Sequence, residues 1–320
     1  MAPTDEVTVV IPTKDRRALL HAAVASVLAQ VDVDVRVVVV DDGSAVPAAS
    51  HLPDDPRVQV VRNETSLGVS GARNRGLELV TTPWVAFLDD DDVWSEGKLR
   101  RQLDALHASG YRWACSASVN FSDDEVLGLT NEPDVDDVAA LMLTGNHIPA
   151  GGSGVLADTR LVRQVGGFDT SLASLADWDC WLRLAQESPV ARVGQTDVGY
   201  RINAGGMAHD VPRQEAELRR MVAKYSALAS PLLLQPAPPY RAYLARMEYR
   251  AGHWSAAAAR TWELVARHRR WKALLMPLRE LSPLPLQRLV RRRQLAGLAA
   301  RRPFQDWSWV ATHVRPTARG

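Results

Sequence analysis

The sequence predicts an α/β protein, a mixed sheet with helices on both faces followed by a C-terminal helical region. Three observations predict it. In the first third, short β-branched runs alternate with segments of helical period, as a parallel sheet with crossover helices requires. Those runs are almost wholly apolar, which suits strands covered on both faces. Beyond about residue 210 the pattern is helical alone. With 320 residues, 46% of them hydrophobic, the chain can bury a sizeable core.

Taken in order, Val7–Ile11 is the first expected strand and Arg16–Gln30 the first helix, with Leu19, Leu20, Ala23, Val27 and Leu28 on one stripe. Val35–Val40 is a second apolar strand, Arg57–Arg62 an alternating third, and Trp84–Leu88 a fourth. Helices over Gly71–Val80 and Gly97–Ser109 complete a βαβαβ unit. Past residue 110 the alternation loosens. Strands are expected near Trp113–Val119 and Gly154–Leu156, a helix over Asp177–Glu187, then short strands at Val190–Val193 and Val198–Ile202. Pro231, Pro236, Pro238 and Pro239 mark a linker or helix break. Tyr240–Ala251 and Ser255–His268, joined by Gly252-His253-Trp254, read as an antiparallel helical hairpin. The expected division is residues 1–210, in halves of about 1–110 and 111–210, and a helical region 211–320 with the hairpin near 240–268.

Charge and cysteine usage narrow the function classes. Lys and Arg number 38 against 37 Asp and Glu, so no global field recruits nucleic acid, and none is expected as a partner. Val7–Ile11 is too short for the core of a signal peptide, and no run reaches the ~18 apolar residues of a membrane span. A cytoplasmic protein is expected. Cys115 and Cys180 stand alone, without the spacing of a disulfide framework or a thiolate metal site.

The chemistry-bearing residues are carboxylates at strand ends. Asp89 to Asp92 directly follow the strand Trp84–Leu88, at the carboxyl end where open α/β sheets bind ligands. Like charges this close repel, and a hard divalent ion is their natural partner; a solvated acidic turn is the alternative. Asp41 and Asp42 follow Val35–Val40 in the same way, although Asp-Gly is also an ordinary turn dipeptide. Asp177 opens a helix whose Trp178, Trp181, Leu182 and Leu184 pack inward, so it either caps that helix or aims a carboxylate into a cleft. Gly68, Gly71 and Gly76 lack the lysine and serine of a phosphate-binding loop and are expected to serve turns and close helix packing.

The ordered blocks VTVVIPTKDR, VVVVDDGS, LGVSGARNRGL, WVAFLDDDDVW, GGFD and ADWDCWLRLA resemble inverting family-2 glycosyltransferases of the GT-A fold, in their bacterial, non-processive form, over roughly residues 7–205. That resemblance implies a Rossmann-like nucleotide-diphospho-sugar transferase with a nucleotide-binding half and an acceptor half. Pro12 and Thr13 would line the nucleotide pocket, Asp42 would accept from the base, and Arg73 and Asn74 would lie near the nucleotide or diphosphate. Asp90 would reach the ribose, Asp91 would ligate the metal with Asp89 in support, and Asp92 would be structural. Asp177 would be the general base; the family often has Glu before it, where this chain has Ala176. Arg201 would face the diphosphate. Asn203 stands where the family has histidine, and His209 is either a displaced metal contact or an exposed loop residue.

The implied cofactor is Mn2+ or Mg2+, with a UDP-, GDP- or dTDP-sugar as donor. The Gln-x-x-Arg-Trp stretch of processive relatives is missing, so one sugar would be moved, with inversion, to a glycan, a lipid-linked saccharide, a small molecule or a peptide. A catalytically silent relative acting as a carbohydrate-binding or scaffold protein is the competing reading. Arg267, Arg269, Arg270, Lys272, Arg291, Arg292, Arg293, Arg301 and Arg302 lie among Trp271, Leu274, Leu275, Leu289, Trp307 and Trp309. Such a stretch either lies peripherally on the inner face of the membrane or packs as helices with a solvated basic face. A homodimer is left open.

Overall fold

The computed structural model describes residues 5–202, 210–226, 244–245, 248, 253–268, 273–274 and 308–314. Most of the expected first hairpin helix and most of the basic tail lie outside them. The chain divides into two compact units, one of residues 1–139, 147–202 and 304–320 and one of residues 140–146 and 203–303. The described residues 308–314 fall in the first unit.

The first unit holds β1 (Glu6–Thr13), α1 (Arg17–Leu28), β2 (Asp34–Asp41), β3 (Val58–Arg62), α2 (Gly68–Leu79), β4 (Trp84–Phe87), β5 (Val93–Trp94), α3 (Lys98–Ser109), β6 (Trp113–Phe121) and β7 (Val126–Thr130). After the short helix α4 (Val138–Met142) come β8 (Val155–Asp158), α5 (Thr159–Gln164), α6 (Ala176–Glu187) and β9 (Val190–Arg201). The sheet runs β3-β2-β1-β4-β8-β6-β9-β5, with β7 on β6. Pairs β3-β2, β2-β1 and β1-β4 are parallel, and antiparallel β8 follows β4, so the mixed sheet expected from the sequence is present.

The period of two along β1 explains why helices cover both faces. Val7, Val9 and Ile11 share one core cluster with Leu20, Ala23, Val24 and Val27 of α1 and Leu99, Leu103 and Leu106 of α3. Val10 points the other way, onto α2, where a Cβ on Gly76 would stand 2.3 Å from its Cγ1. Only glycine permits that approach of helix to sheet, and Gly68, at φ 74°, makes the turn into the same helix. Each fully buried Val or Ile here contributes roughly 1.5–3 kcal/mol. Leu19 and Leu28, expected on the α1 stripe, are its half-buried flanks.

Three features differ from the expectation. The two short strands at 190–202 are one 12-residue strand, β9, whose pairing with β6 slips register between Cys115 and Ala117. Gly194, at φ 75°, breaks the apolar pattern without ending the strand. Two-residue β5 and five-residue β7 carry no periodic signal, because the first is too short and the second half-buried throughout. Finally, a 3-10 segment Ser308–His313 returns to the sheet. Val310 is fully buried with Val93, Val119 and Phe121, and Trp309 donates its indole N–H to the Thr196 carbonyl at 3.2 Å. Trp309 is thus packed on the sheet.

The second unit contains α7 (Val211–Tyr225), whose Asp210 cap accepts from the Arg213 amide at 3.1 Å, and α8 (Trp254–His268). Arg260 of α8 pairs with Glu215 of α7 at 2.6 Å. Both cysteines are buried and unbonded. Among the described residues no helix is long and apolar enough to cross a membrane.

Candidate functional site

The site lies wholly in the first unit, at the carboxyl ends of β1, β2 and β4. Four successive aspartates cannot share one solvent shell cheaply, and the fold surrounds them with donors, one of which Asp90 and Asp91 share. Asp89 pairs with the buried guanidinium of Arg73, on α2. Asp90, 5% exposed, accepts from the Thr13 hydroxyl at 2.7 Å, which ties the end of β1 to the loop after β4. Arg16 Nη1 bridges Asp90 Oδ1 at 3.1 Å and Asp91 Oδ2 at 2.7 Å. Asp92, fully buried, accepts from the Ser153 hydroxyl at 2.6 Å and the Arg201 amide at 2.8 Å. Burial pushes Asp90 up to about 7, against the pull of Arg16, and pushes Asp92 well above the carboxylate range, with Asp91 and Asp89 adding to it. Asp92 is a structural pin between the loop and β9.

Asp42, expected to accept from the base, is bonded within the protein to the turn into α2. Its Oδ1 accepts from Asn63 Nδ2 at 2.8 Å and the Leu67 amide at 2.8 Å, and its Oδ2 from the Ser66 hydroxyl at 2.6 Å and the Gly68 amide at 2.9 Å. A carboxylate offers about four acceptor positions, so all are taken by the turn leading into α2. Asp41 likewise holds the amides of Ser44 and Ala48 and the Arg62 guanidinium. Burial raises the carboxyl of Asp42, but its four donors outweigh it and the net shift is downward. Its folded value lies below its unfolded one, so its stabilising contribution is full above about pH 4 and is lost as pH falls through the folded value. Asp42→Ala strands four donors, and urea denaturation of the variant is expected to show a loss of about 3 kcal/mol near neutral pH.

Asn74 is also used by the protein. Its amide donates to the Phe168 carbonyl and accepts from the Phe168 amide, both at 2.8 Å, which anchors the Gly-Gly-Phe-Asp stretch to α2. Phe168, Phe87 of β4 and Trp181 of α6 form an edge-to-face cluster, with centroids 4.8 Å apart for Phe87–Phe168 and 5.7 Å for Phe168–Trp181. Arg73 lies over the Phe168 ring at 5.1 Å. The aromatic blocks of the sequence therefore carry the guanidinium and fix the start of α6.

Asp177 stands in the first turn of α6, where the helix dipole favours an anion. A glycine turn between α4 and β8 fits around it. A Cβ on Gly151 would lie 2.7 Å from Asp177 Oδ2, and one on Gly152 would lie 2.6 Å from Arg73 Nη2. Trp181 donates its indole N–H to the Gly151 carbonyl at 3.0 Å. Asp177, Arg73 and Asp89 thus form one charged series from α6 to the loop after β4. Burial raises the Asp177 carboxyl, Arg73 draws it down and Asp89 raises it again; the net shift is upward. A carboxylate so raised holds a proton more readily than an ordinary one.

Arg201 closes the site at the end of β9. It donates from Nε to the Asp91 carbonyl at 3.1 Å, pairs with Asp123 and covers the Phe121 ring at 4.5 Å. Pro12 lies buried in β1 opposite Val40, at the same rim. His209 lies outside the described residues. Two residues the sequence reading passed over are Arg16 and Ser153. Arg16 stands inside a strand-end block without a spacing to mark it, whereas Ser153 sits in Gly-Gly-Ser-Gly, a glycine density that signals a special turn.

The fit of a divalent ion can be judged from these donors. Among the described residues no three His, Cys, Asp or Glu side chains converge as a ready cage. Asp89 and Asp91 stand at the lip, their side chains 27% and 16% exposed. Mg2+ usually takes one or two carboxylates and completes its shell with substrate phosphates and water, and these two hard oxygen donors fit that pattern.

Residues 8–140 match the family model described as glycosyl transferase family 2. The pre-mycofactocin glycosyltransferase of Mycobacterium tuberculosis is 30% identical over 244 residues, covering 72% of this chain and 48% of that protein. The succinoglycan biosynthesis protein ExoO of Rhizobium meliloti is 38% identical over 107 residues, 33% of this chain and 31% of that protein. This chain thus spans between about a third and a half of the length of these two relatives. In Escherichia coli, the UDP-Glc:alpha-D-GlcNAc-diphosphoundecaprenol beta-1,3-glucosyltransferase WfaP is 23% identical, over 63% of this chain and 79% of that protein. The crystal structure of S. aureus TarS 1-349 in complex with UDP-GlcNAc superposes with a TM-score of 0.59 at 16% identity, covering 86% of this chain and 79% of that one, a likeness of fold.

Proposed function

We infer that this chain, which belongs to glycosyl transferase family 2 and has its GT-A fold, moves one sugar from a nucleotide-diphosphate donor to an acceptor hydroxyl with inversion. The observation that carries the reading is the series Asp177, Arg73 and Asp89, which sets a proton-accepting carboxylate beside the acidic strand end. Asp177 takes the acceptor proton as the acceptor oxygen bonds to the anomeric carbon. The bond from that carbon to the donor phosphate breaks on the opposite face, and its electron pair leaves with the nucleoside diphosphate. Asp91, with Asp89 beside it, would hold Mn2+ or Mg2+, which supplies Lewis-acid stabilisation of the departing phosphate. Arg73 keeps Asp89 and Asp177 in register, and Arg201 holds the backbone of Asp91 in place.

For the donor, UDP-, GDP- and dTDP-sugars remain the set to be tested. A lipid-linked saccharide is the preferred acceptor, supported by the specificity that the E. coli relative's name states, and it implies a cytoplasmic enzyme in peripheral contact with the membrane. Trp254 and Trp262, 51% and 66% exposed on α8, support that contact; failure to sediment with anionic liposomes would count against it. The deciding experiment is a thermal-shift panel of nucleotide sugars with and without Mn2+, followed by donor hydrolysis. A stabilising nucleotide sugar that is hydrolysed only with the metal is the expected result. Tight binding of a nucleotide sugar without turnover in any metal would sink the enzymatic reading and leave a silent binding protein.

A further inference from the structure

Arg16 stands at the mouth of α1, three residues beyond the end of β1, and has no part in the reaction described above. A single nitrogen, Nη1, makes both of its carboxylate contacts, to Asp90 Oδ1 at 3.1 Å and to Asp91 Oδ2 at 2.7 Å. Its side chain is 39% exposed, whereas those of Asp90 and Asp91 are 7% and 16% exposed. The cation is therefore the most exposed partner in the trio, and the carboxylates are held. Thr13 fixes Asp90 by its second oxygen, and the Arg201 guanidinium fixes the backbone of Asp91. A divalent ion approaching Asp91 must displace the guanidinium from that carboxylate and come to lie beside a cation still held by Asp90. An ion arriving with a diphosphate brings phosphate oxygens that the released guanidinium can bind, since Arg recognises phosphate well.

We propose that Arg16 is a built-in counter-cation for Asp90 and Asp91 that makes capture of a divalent ion conditional on a nucleoside diphosphate. The proposal rests on the metal-dependent reading of the site. It places Arg16 as a positioning residue that orders the binding steps: bare metal is resisted, and the metal bound to nucleotide is accepted. Charge is the operative property, and since one nitrogen makes both contacts, an ammonium can replace the guanidinium.

The test is titration of Mn2+ alone into the full chain, read from the free-Mn2+ electron paramagnetic resonance signal, for wild type, Arg16→Gln and Arg16→Lys. Thermal melting of each variant checks that the surface substitution leaves the fold intact. Arg16→Gln is expected to bind Mn2+ alone roughly fivefold more tightly than wild type, the upper scale of one partly exposed ion pair, and Arg16→Lys is expected to stay with wild type. Adding UDP, GDP or dTDP should raise Mn2+ capture by the wild type but change that of Arg16→Gln much less. Equal binding of Mn2+ alone by wild type and Arg16→Gln, with nucleotide still promoting capture, overturns the proposal and leaves the metal reading standing. Arg16→Lys binding as tightly as Arg16→Gln also overturns it, because charge is then not the cause. No capture by either protein with any of the three nucleotides overturns the metal reading and this proposal together.

Discussion

Asp177→Asn is expected to lower kcat by about 10²–10⁴ while donor binding is kept, the usual worth of a positioned general base. The substitution is nearly isosteric, so the glycine turn at 150–154 and the Trp181 contact to Gly151 should survive. The measurement is steady-state transfer beside a thermal shift with nucleotide sugar and Mn2+. Unchanged turnover at full donor binding removes Asp177 from the mechanism. The pH profile adds an independent check. A base acts only when deprotonated, and burial holds this carboxyl above its ordinary value. The acid limb of kcat/KM should therefore lie above the ordinary carboxylate range near 4, and it should vanish in Asp177→Asn.

Asp91→Ala is expected to abolish the Mn2+-dependent part of the nucleotide-sugar thermal shift and to lower kcat/KM on the order of 10³-fold, as loss of several kcal/mol of Lewis-acid stabilisation implies. Stability without ligand should change little, because the Asp91 side chain is at the lip and Arg16 keeps Asp90 as a partner. One residue further on, the outcome reverses. Asp92→Ala strands the Ser153 hydroxyl and the Arg201 amide in the interior and should cost about 2–3 kcal/mol in urea denaturation. Equal effects of the two substitutions on stability and on metal-dependent binding would show that the acidic run acts as one undivided cluster.

The parallel half of the sheet was legible because its signals are local. Val7 to Ile11 and Val35 to Val40 are apolar apart from Thr8 and Arg36, and helices cover both faces. β9 was less legible, since Gly194 interrupts an apolar pattern that the backbone carries through with a register slip. β5 and the segment Ser308–His313 gain their places only from partners distant in sequence. The position of Asp89 to Asp92 and Asp42 at strand ends followed from the same local reading.

What each of these carboxylates is bonded to did not follow. Asp42 is held by the turn at 63–68, and Asn74 is bonded to the backbone of Phe168. Arg16 and Ser153 reach the acidic run from 74 and 61 residues away. The sequence by itself determined the alternating architecture and the strand-end location of the acidic groups, because apolar period and burial are properties of neighbouring residues. Only the tertiary structure decided which aspartate is pinned inside, which is clamped by an arginine and which is left at the lip. Hydrogen bonding and charge pairing depend on a few ångströms between groups far apart in the chain, and no local pattern encodes that distance.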